Sequence, residues 1–123
     1  MEIKDLQKID RDRMYEYYDK WPELAKQSYE KEFVIPEFSD VDHIIFAGMG
    51  GSGSIGDIIS SILSKKDIHV SVIKGYILPK TVDKNTVIVI TSISGNTDET
   101  ISVLKDALKS EAKILVFSSG GKI

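Results

Sequence analysis

Two short segments rich in glycine, serine and threonine carry the side chains best suited to bind a ligand. They span residues 48–54 (GMGGSGS) and 92–97 (SISGNT), and neither contains Lys or Arg. Glycine lets a ligand approach the backbone N–H groups closely, and serine and threonine hydroxyls add further donors. Since neutral donors at the start of a helix are a common way to bind phosphate, this composition indicates an anion site.

Each segment lies between an apolar run and an amphipathic pattern. Strands are predicted over residues 43–47, 68–73, 86–91 and 113–117, and helices over 55–63 and 97–109. The runs that precede the two segments suit strands buried on both faces. At the start of the last helix, Asn96 and Glu99 have the spacing of a capping box.

Strands that alternate with helices predict an α/β fold with a doubly wound parallel sheet. A flavodoxin-like strand order of 2-1-3-4 would place the switch point between the first and third strands. Ligands bind beyond the carboxyl ends of the strands at that point, so both segments should face one crevice. The connection through residues 74–85 shows no helical pattern and is the weakest part of this topology. The alternative is that both segments only form turns and helix caps.

The first third of the chain is predicted to be helical. Apolar side chains roughly follow one helical face at Ile3, Leu6, Ile9, Met14 and Tyr17. Trp21 precedes a proline and should end that helix, and Pro22 can open a second one to about residue 29. We therefore expect an N-terminal helical segment over residues 1–38 and a ligand-binding domain over residues 39–123.

Two nucleotide-binding motifs were considered for the first segment. Gly48, Gly50 and Gly53 match G-x-G-x-x-G, but a dinucleotide site also needs an acidic residue at the end of the second strand. That strand ends in VIKG, residues 72–75, without one. A P-loop needs Lys and Ser/Thr where residues 54–55 are Ser and Ile. Both nucleotide readings, and with them an NAD-dependent oxidoreductase, are disfavoured.

The composition excludes several other classes of function. The chain has 123 residues, a formal net charge of -3 and no cysteine. Disulfides, thiolate metal sites and a cysteine nucleophile are therefore excluded. Basic residues are scattered among acidic ones, so we expect no nucleic-acid or membrane partner. We see no signal sequence and no apolar run of membrane-spanning length, and we expect a cytoplasmic protein.

Residues 46–58 (FAGMGGSGSIGDI) resemble the first signature of the bifunctional phosphoglucose/phosphomannose isomerases, which belong to the sugar isomerase (SIS) domain superfamily. Residues 92–97, with Glu99 and Thr100 after them, resemble that superfamily's second signature. Ile93 departs from the pattern, since an aromatic residue is more usual there. The likeness extends to Ile9-Asp10, Met14-Tyr15, Trp21-Pro22 and residues 118–122 (SSGGK), and so covers nearly the whole chain.

The resemblance implies an aldose–ketose isomerase that interconverts glucose 6-phosphate or mannose 6-phosphate with fructose 6-phosphate. The reaction would pass through an enediol, without a metal or organic cofactor. The residues that would bind the phosphate are Ser52, Ser92, Ser94 and Thr97. The backbone of Gly50 and Gly51 would approach the sugar.

The resemblance also implies that the Glu base and the ring-opening His come from a second SIS domain, with sites completed across a homodimer. That domain is absent from these 123 residues, so we expect no catalytic residue here and no isomerase activity of this chain alone. His43 and His69 begin strands and should lie at the end of the sheet away from the site. The nearby acids Asp57, Asp98 and Glu99 are each expected in a first helical turn, where they favour the helix dipole. We nominate none of them as the base.

The expected partner is a phosphosugar, together with a second copy of the chain or the missing C-terminal half. The strand over residues 113–117 would have an open apolar edge, which favours such association. The alternative function is a non-catalytic, regulatory SIS module that binds a phosphosugar without turning it over.

Overall fold

A computed structural model of the chain describes residues 8–32 and 36–123. The chain divides into two compact units, Met1–Glu37 and Phe38–Ile123. Two of the positions used to predict the first helix, Ile3 and Leu6, lie outside the described residues.

Two short helices of the first unit have both ends within the described residues. These are α1 (Met14–Asp19) and α2 (Trp21–Glu30). The prediction of one helix that runs to Trp21 is wrong, because the chain turns just before α1. Arg13 has a φ of 55°, and the carboxylate of Asp10 accepts a 2.9 Å hydrogen bond from the backbone N–H of Tyr15. Pro22 lies in the first turn of α2, as predicted.

The second unit is built on a four-stranded parallel sheet. Its strands are β1 (His43–Ala47), β2 (His69–Ile73), β3 (Thr86–Ser92) and β4 (Lys113–Ser118). Their spatial order is β2-β1-β3-β4, which confirms the predicted α/β fold and its 2-1-3-4 order. In the register of the sheet, Phe46 lies between Val72 and Val89. The carboxyl ends of β1 and β3 are therefore adjacent.

Two helices pack on opposite faces of this sheet. They are α3 (Gly50–Leu63) and α4 (Asp98–Ala107). Alternate strand residues point to opposite faces. Phe46 faces α3, and a Cβ on Gly56 would lie only 2.8 Å from the Cβ of Phe46. On the α4 side the core consists of Ile45, Ala47, Ile88, Ile90, Val103 and Ala107. The glycine lets α3 pack closely, and both helices begin at the edge where β1 and β3 end.

The connection between β2 and β3 packs against the core without forming a helix. Residues 74–85 are all described and contain turns but no helix. Leu78 and Val82 pack against the core cluster on the α4 side. Apolar anchors thus take the place of a crossover helix, which explains why no helical pattern is present in this part of the sequence.

Candidate functional site

Most of the first glycine-rich segment, residues 48–54, forms the beginning of α3 rather than a free loop. Gly50 opens the helix with a φ of 54°. The helix therefore begins at Gly50, earlier than the start at residue 55 that the sequence predicted. Gly53 and Gly56 are buried, and this packing outweighs the poor helix propensity of glycine. Met49, which precedes the helix, makes no side-chain cap, so the N–H groups of the first turn can bind a ligand.

Gly48 brings the two segments together. A Cβ at Gly48 would lie 2.9 Å from the carbonyl oxygen of Thr91 and 3.1 Å from the Cβ of Ser52. Thr91 leads directly into the second segment, and Ser52 lies in the first turn of α3. Any residue larger than glycine would push the two apart. The structure therefore places the two segments side by side, as the strand order predicted.

The second segment is a tight turn between β3 and α4. Ser92 is only 3 % exposed. Its hydroxyl donates a 3.3 Å hydrogen bond to the Oγ1 of Thr97. The backbone N–H of Gly95 donates to the carbonyl oxygen of Ser92 at 3.1 Å, and Gly95 has a φ of 63°. This geometry joins two of the predicted phosphate-binding hydroxyls directly.

The predicted capping box at the start of α4 is not formed. Thr97, not Asn96, is the residue before the helix, and its side chain does not cap it. The N–H of Asn96 instead donates to the Oγ of Ser94 at 3.2 Å, and its side-chain amide donates to the carbonyl oxygen of Ser94 at 3.0 Å. Asn96 therefore closes the turn around Ser94, whose side chain is exposed to solvent.

A third segment, residues 118–122, lies against the second one. The N–H of Ser119 donates to the carbonyl oxygen of Ile93 at 3.3 Å, and the N–H of Lys122 donates to that of Gly95 at 2.9 Å. In the sequence-based prediction, residues 118–122 entered only as part of the family resemblance. A pair of glycines directly after a strand, at the edge where the other two segments lie, was the available signal.

The sequence matches the SIS domain over residues 37–122. That is most of the chain, and it includes all three segments. The chain belongs to the SIS domain family.

Curated relatives of this SIS domain include several bifunctional enzymes. A protein named bifunctional phosphoglucose/phosphomannose isomerase from Caldicellulosiruptor bescii is 36% identical over 114 residues, which is 89% of this chain and 34% of the relative. A protein of the same name from Thermoplasma acidophilum is 43% identical over 81 residues, which is 66% of this chain and 26% of the relative. A D-glucosamine-6-phosphate 4-epimerase from Sulfolobus acidocaldarius is 32% identical over 111 residues, covering 89% and 34%. The chain thus spans about a third of the length of these relatives, and the resemblance to the bifunctional isomerases is confirmed.

Solved structures share the fold of this SIS domain. A crystal structure of a Salmonella typhimurium LT2 protein, provisionally described as a phosphosugar isomerase, superposes with a TM-score of 0.61 at 19% identity. The match covers 75% of this chain and 34% of that one. At this identity the likeness supports the fold alone.

Charge is distributed unequally between the two helix starts of the SIS domain. The first turn of α3 contains no acidic residue, whereas that of α4 contains Asp98 and Glu99. The carboxylates of α4 offset the positive end of its dipole, and that of α3 is left without such a partner. The start of α3 therefore favours a nearby anion more than the start of α4 does.

Asp57 is placed differently from the prediction. It lies well inside α3 rather than in the first turn, and its carboxylate pairs with the ammonium of Lys74 at 2.5 Å. The stem of Lys74 passes over the start of α3, where a Cβ on Gly53 would lie 3.1 Å from its Cε. This cation follows β2 directly and was not among the predicted site residues. Its Asp57 partner means that the local charge is balanced.

Glu99 lies beside Tyr76, which was not among the predicted site residues. Its carboxylate is the main cause of a raised pKa of the Tyr76 phenol, which is exposed to solvent. The chain near Tyr76 is also held against α4, because the hydroxyl of Ser102 donates to the carbonyl oxygen of Tyr76 at 3.2 Å. Two acids near the site thus have identified neighbours, a lysine for Asp57 and a tyrosine for Glu99.

A cavity of about 320 Å³ lies between α3 and the strands. Ser52 and Thr91 are the polar side chains among its lining residues, and the others are apolar or glycine. The cavity does not include Ser92, Ser94 or Thr97. An apolar cavity does not bind an anion, so it is a neighbour of the candidate site and not the site itself.

The two histidines lie at the opposite end of the sheet, as predicted. His43 and His69 begin β1 and β2 and face each other in the register. The hydroxyl of Ser71 lies 3.0 Å from the Nε2 of His43 and 3.2 Å from that of His69. His43 is buried rather than at the surface, and burial, followed by the charge of His69, lowers its pKa. Neither imidazole can reach a ligand at the other end of the strands.

The described residues offer neither a cluster of metal-binding side chains nor a membrane-spanning helix. Within residues 8–32 and 36–123, no three His, Asp or Glu side chains are grouped so that they could hold a metal ion. None of the helices formed by these residues is long and apolar enough to span a membrane.

Proposed function

We propose that this SIS domain binds the phosphate group of a hexose 6-phosphate between the start of α3 and the turn that precedes α4. The convergence of these two segments at Gly48 is the observation that supports it most directly. The proposed phosphate-binding residues are Ser52, Ser92, Ser94 and Thr97. The Ser92 hydroxyl donates its one hydrogen to the Oγ1 of Thr97, so it would have to turn from that partner to donate to the phosphate. First-turn N–H groups of α3 would add charge-assisted hydrogen bonds to the dianion.

The sugar would lie over Gly50 and Gly51. A Cβ built on either glycine meets no other atom within 4 Å, so the space in front of them is open. Both residues are exposed. A hydroxyl of the sugar could therefore approach their backbone groups directly.

The reaction proposed for a protein of the relatives' full length is the interconversion of glucose 6-phosphate or mannose 6-phosphate with fructose 6-phosphate. A base removes the proton from C2 of the open-chain aldose while the aldehyde oxygen at C1 gains a proton, which gives an enediol. The base then returns its proton to C1 while the C2 hydroxyl loses its proton and becomes a carbonyl. That base must be a free group within hydrogen-bond reach of the carbon-bound proton. Asp57 is paired with Lys74, and Glu99 lies beside Tyr76.

We propose that this chain supplies binding and positioning, and that the base and the ring-opening acid come from elsewhere. A phosphosugar-binding module without turnover is therefore the second candidate for the chain by itself. The two candidates share the binding site and differ only in whether a longer or associated polypeptide completes the reaction.

Calorimetric titration of the purified chain with fructose 6-phosphate tests the binding step. Fructose and inorganic phosphate serve as matched controls, because each retains one half of the ligand. Glucosamine 6-phosphate belongs in the same series, since one relative is named as an epimerase of that sugar phosphate. We expect fructose 6-phosphate to bind more tightly than either half and to be recovered unchanged. Equal affinity for phosphate alone would refute a sugar-phosphate site, and conversion to an aldose would refute the absence of a base.

A further inference from the structure

Residues 118–122, which are the last residue of β4 and the loop after it, make a close contact with the turn proposed to bind phosphate. Four features join them or order the loop. They are the two backbone hydrogen bonds described above, the hydrogen bond from the Oγ of Ser119 to the carbonyl oxygen of Ile93, and a local bond from the Oγ of Ser118 to the carbonyl oxygen of Gly120 at 2.7 Å.

The glycines on both sides are required by this contact. A Cβ on Gly95 would overlap the carbonyl oxygen of Gly120, and a Cβ on Gly121 would overlap that of Ser94. The Cβ of Gly121 would also lie 2.7 Å from the carbonyl carbon of Gly95. Each glycine also has a positive φ, of 63° at Gly95 and 92° at Gly121. The two backbones therefore touch in a way that no other residue type allows.

These contacts determine the direction of the N–H groups in the turn. Across a trans peptide the carbonyl of one residue and the N–H of the next point in opposite directions, and the described chain contains no cis peptide. The carbonyls of Ile93 and Gly95 both point toward residues 118–122. The N–H groups of Ser94 and Asn96 must then point away from that loop. The N–H of Asn96 does so, because it donates to the Oγ of Ser94.

We propose that residues 118–122 position the phosphate-binding turn, with Gly121 and Ser119 as the positioning residues. The loop fixes the carbonyls of Ile93 and Gly95. It thereby keeps the N–H of Ser94 pointing away from the loop, and the N–H of Asn96 on the Oγ of Ser94, before the ligand arrives. This inference rests on the proposed function, because it assigns a role within the same site. It adds a third structural component to a site so far described from two segments.

Alanine substitutions at the two glycines of the loop separate contact from strain. Gly121→Ala adds a methyl group that overlaps the turn, at a positive φ. Gly120→Ala adds the same group at a φ of 145°, but it meets nothing within 4 Å. We expect fructose 6-phosphate to bind about tenfold or more weakly to Gly121→Ala, since displacement of a binding group by about 1 Å can cost up to about 10²-fold. The loss in Gly120→Ala should be clearly smaller. An equal loss in both would overturn the proposal.

A second pair of variants guards against misfolding of Gly121→Ala. Ser119→Ala removes one hydroxyl from an exposed side chain, and Ser119→Thr retains the hydroxyl. We expect Ser119→Ala to bind fructose 6-phosphate about fivefold more weakly and Ser119→Thr to restore affinity, in line with the loss of one neutral hydrogen bond. Wild-type affinity in Ser119→Ala would overturn the role of Ser119.

Amide NMR spectra of the ligand-free chain keep this test independent of the proposed function. Gly121→Ala and Ser119→Ala should shift the amide signals of Ser94 and Asn96, and Ser119→Thr should leave them near their wild-type positions. If wild type fails to bind fructose 6-phosphate but these shifts occur, the proposed function fails and the positioning contact stands. If the two amides do not move, the positioning role is refuted whatever the ligand data show.

Discussion

Replacing Thr97 with valine removes one hydroxyl at nearly constant shape, and the structure gives this change two separate consequences. Thr97 Oγ1 accepts the hydrogen bond of the buried Ser92 hydroxyl, so the variant leaves that hydroxyl without its partner. An unsatisfied buried group costs about 1–3 kcal/mol. Because the bond is long, at 3.3 Å, we expect about 1 kcal/mol, which corresponds to a fall in Tm of about 4–8 °C for a domain of this size.

The second consequence concerns the ligand. A hydrogen bond to a charged group contributes about 1.5–3 kcal/mol, so loss of the Thr97 donor should weaken fructose 6-phosphate binding by about ten- to a hundredfold. Calorimetry measures the affinity and thermal unfolding measures the stability. Thr97→Ser keeps the hydroxyl and should retain most of both. Thr81→Val, at an exposed threonine in the β2–β3 connection, is the matched control and should change neither.

The two measurements make the interpretation refutable. An affinity of Thr97→Val within about twofold of wild type, with the expected loss in Tm, would remove Thr97 from the phosphate site and leave it a structural role only. A fall in Tm far above 8 °C would contradict the estimate of about 1 kcal/mol and show that Thr97 stabilises the start of α4 in some further way.

Three further changes test other parts of the site and the sheet. Gly48→Ala should destabilise the fold by about 1–3 kcal/mol and abolish measurable phosphosugar binding, because its Cβ would separate the two segments. Chemical unfolding measures the stability. The control Gly75→Ala, whose added Cβ meets nothing within 4 Å, should unfold close to wild type. Lys74→Met and Asp57→Asn should each change stability by no more than about 1 kcal/mol, since the ion pair is exposed. Both should leave the affinity for fructose 6-phosphate within about twofold of wild type, because the anion is proposed to bind neutral donors. A large loss of affinity in Lys74→Met would contradict that proposal. The lowered pKa of His43 means that the unfolded chain binds a proton more readily than the folded chain, so this group contributes a loss of stability as the pH falls below the ordinary histidine value of about 6.5. Unfolding of His43→Asn at pH 7.5 and pH 5 should show a smaller loss than wild type, and an equal loss would contradict the assignment to His43.

The strand order could be predicted because it depends on long-range periodicity. Apolar runs that alternate with amphipathic helices restrict a chain of this size to few topologies. The same reasoning predicted that the segments after β1 and β3 meet, and Gly48 shows how closely they do. The assignment of the hydroxyls to phosphate came from family resemblance and stays a prediction.

The local details that the sequence did not reveal depend on contacts between distant residues. Glycine-rich residues 50–54 were interpreted as a loop, because burial of Gly53 and Gly56 against neighbouring strands cannot be seen in a local pattern. The spacing of Asn96 and Glu99 suggested a capping box, but Asn96 donates to Ser94 instead. The contact between residues 118–122 and the turn was missed for the same reason.

The distribution of charge is consistent with the proposed separation of binding from catalysis. The first turn of α3 is free of acids, so an anion near it meets an uncompensated dipole. A carboxylate that was close and unpaired enough to act as a base would repel the same phosphate unless it approached from the sugar side. Asp57, on α3 itself, forms an exposed ion pair with Lys74 and is not an unpaired carboxylate of this kind. A site built in this way favours a base delivered by another part of a longer protein or by a partner, at the far end of the sugar from the phosphate.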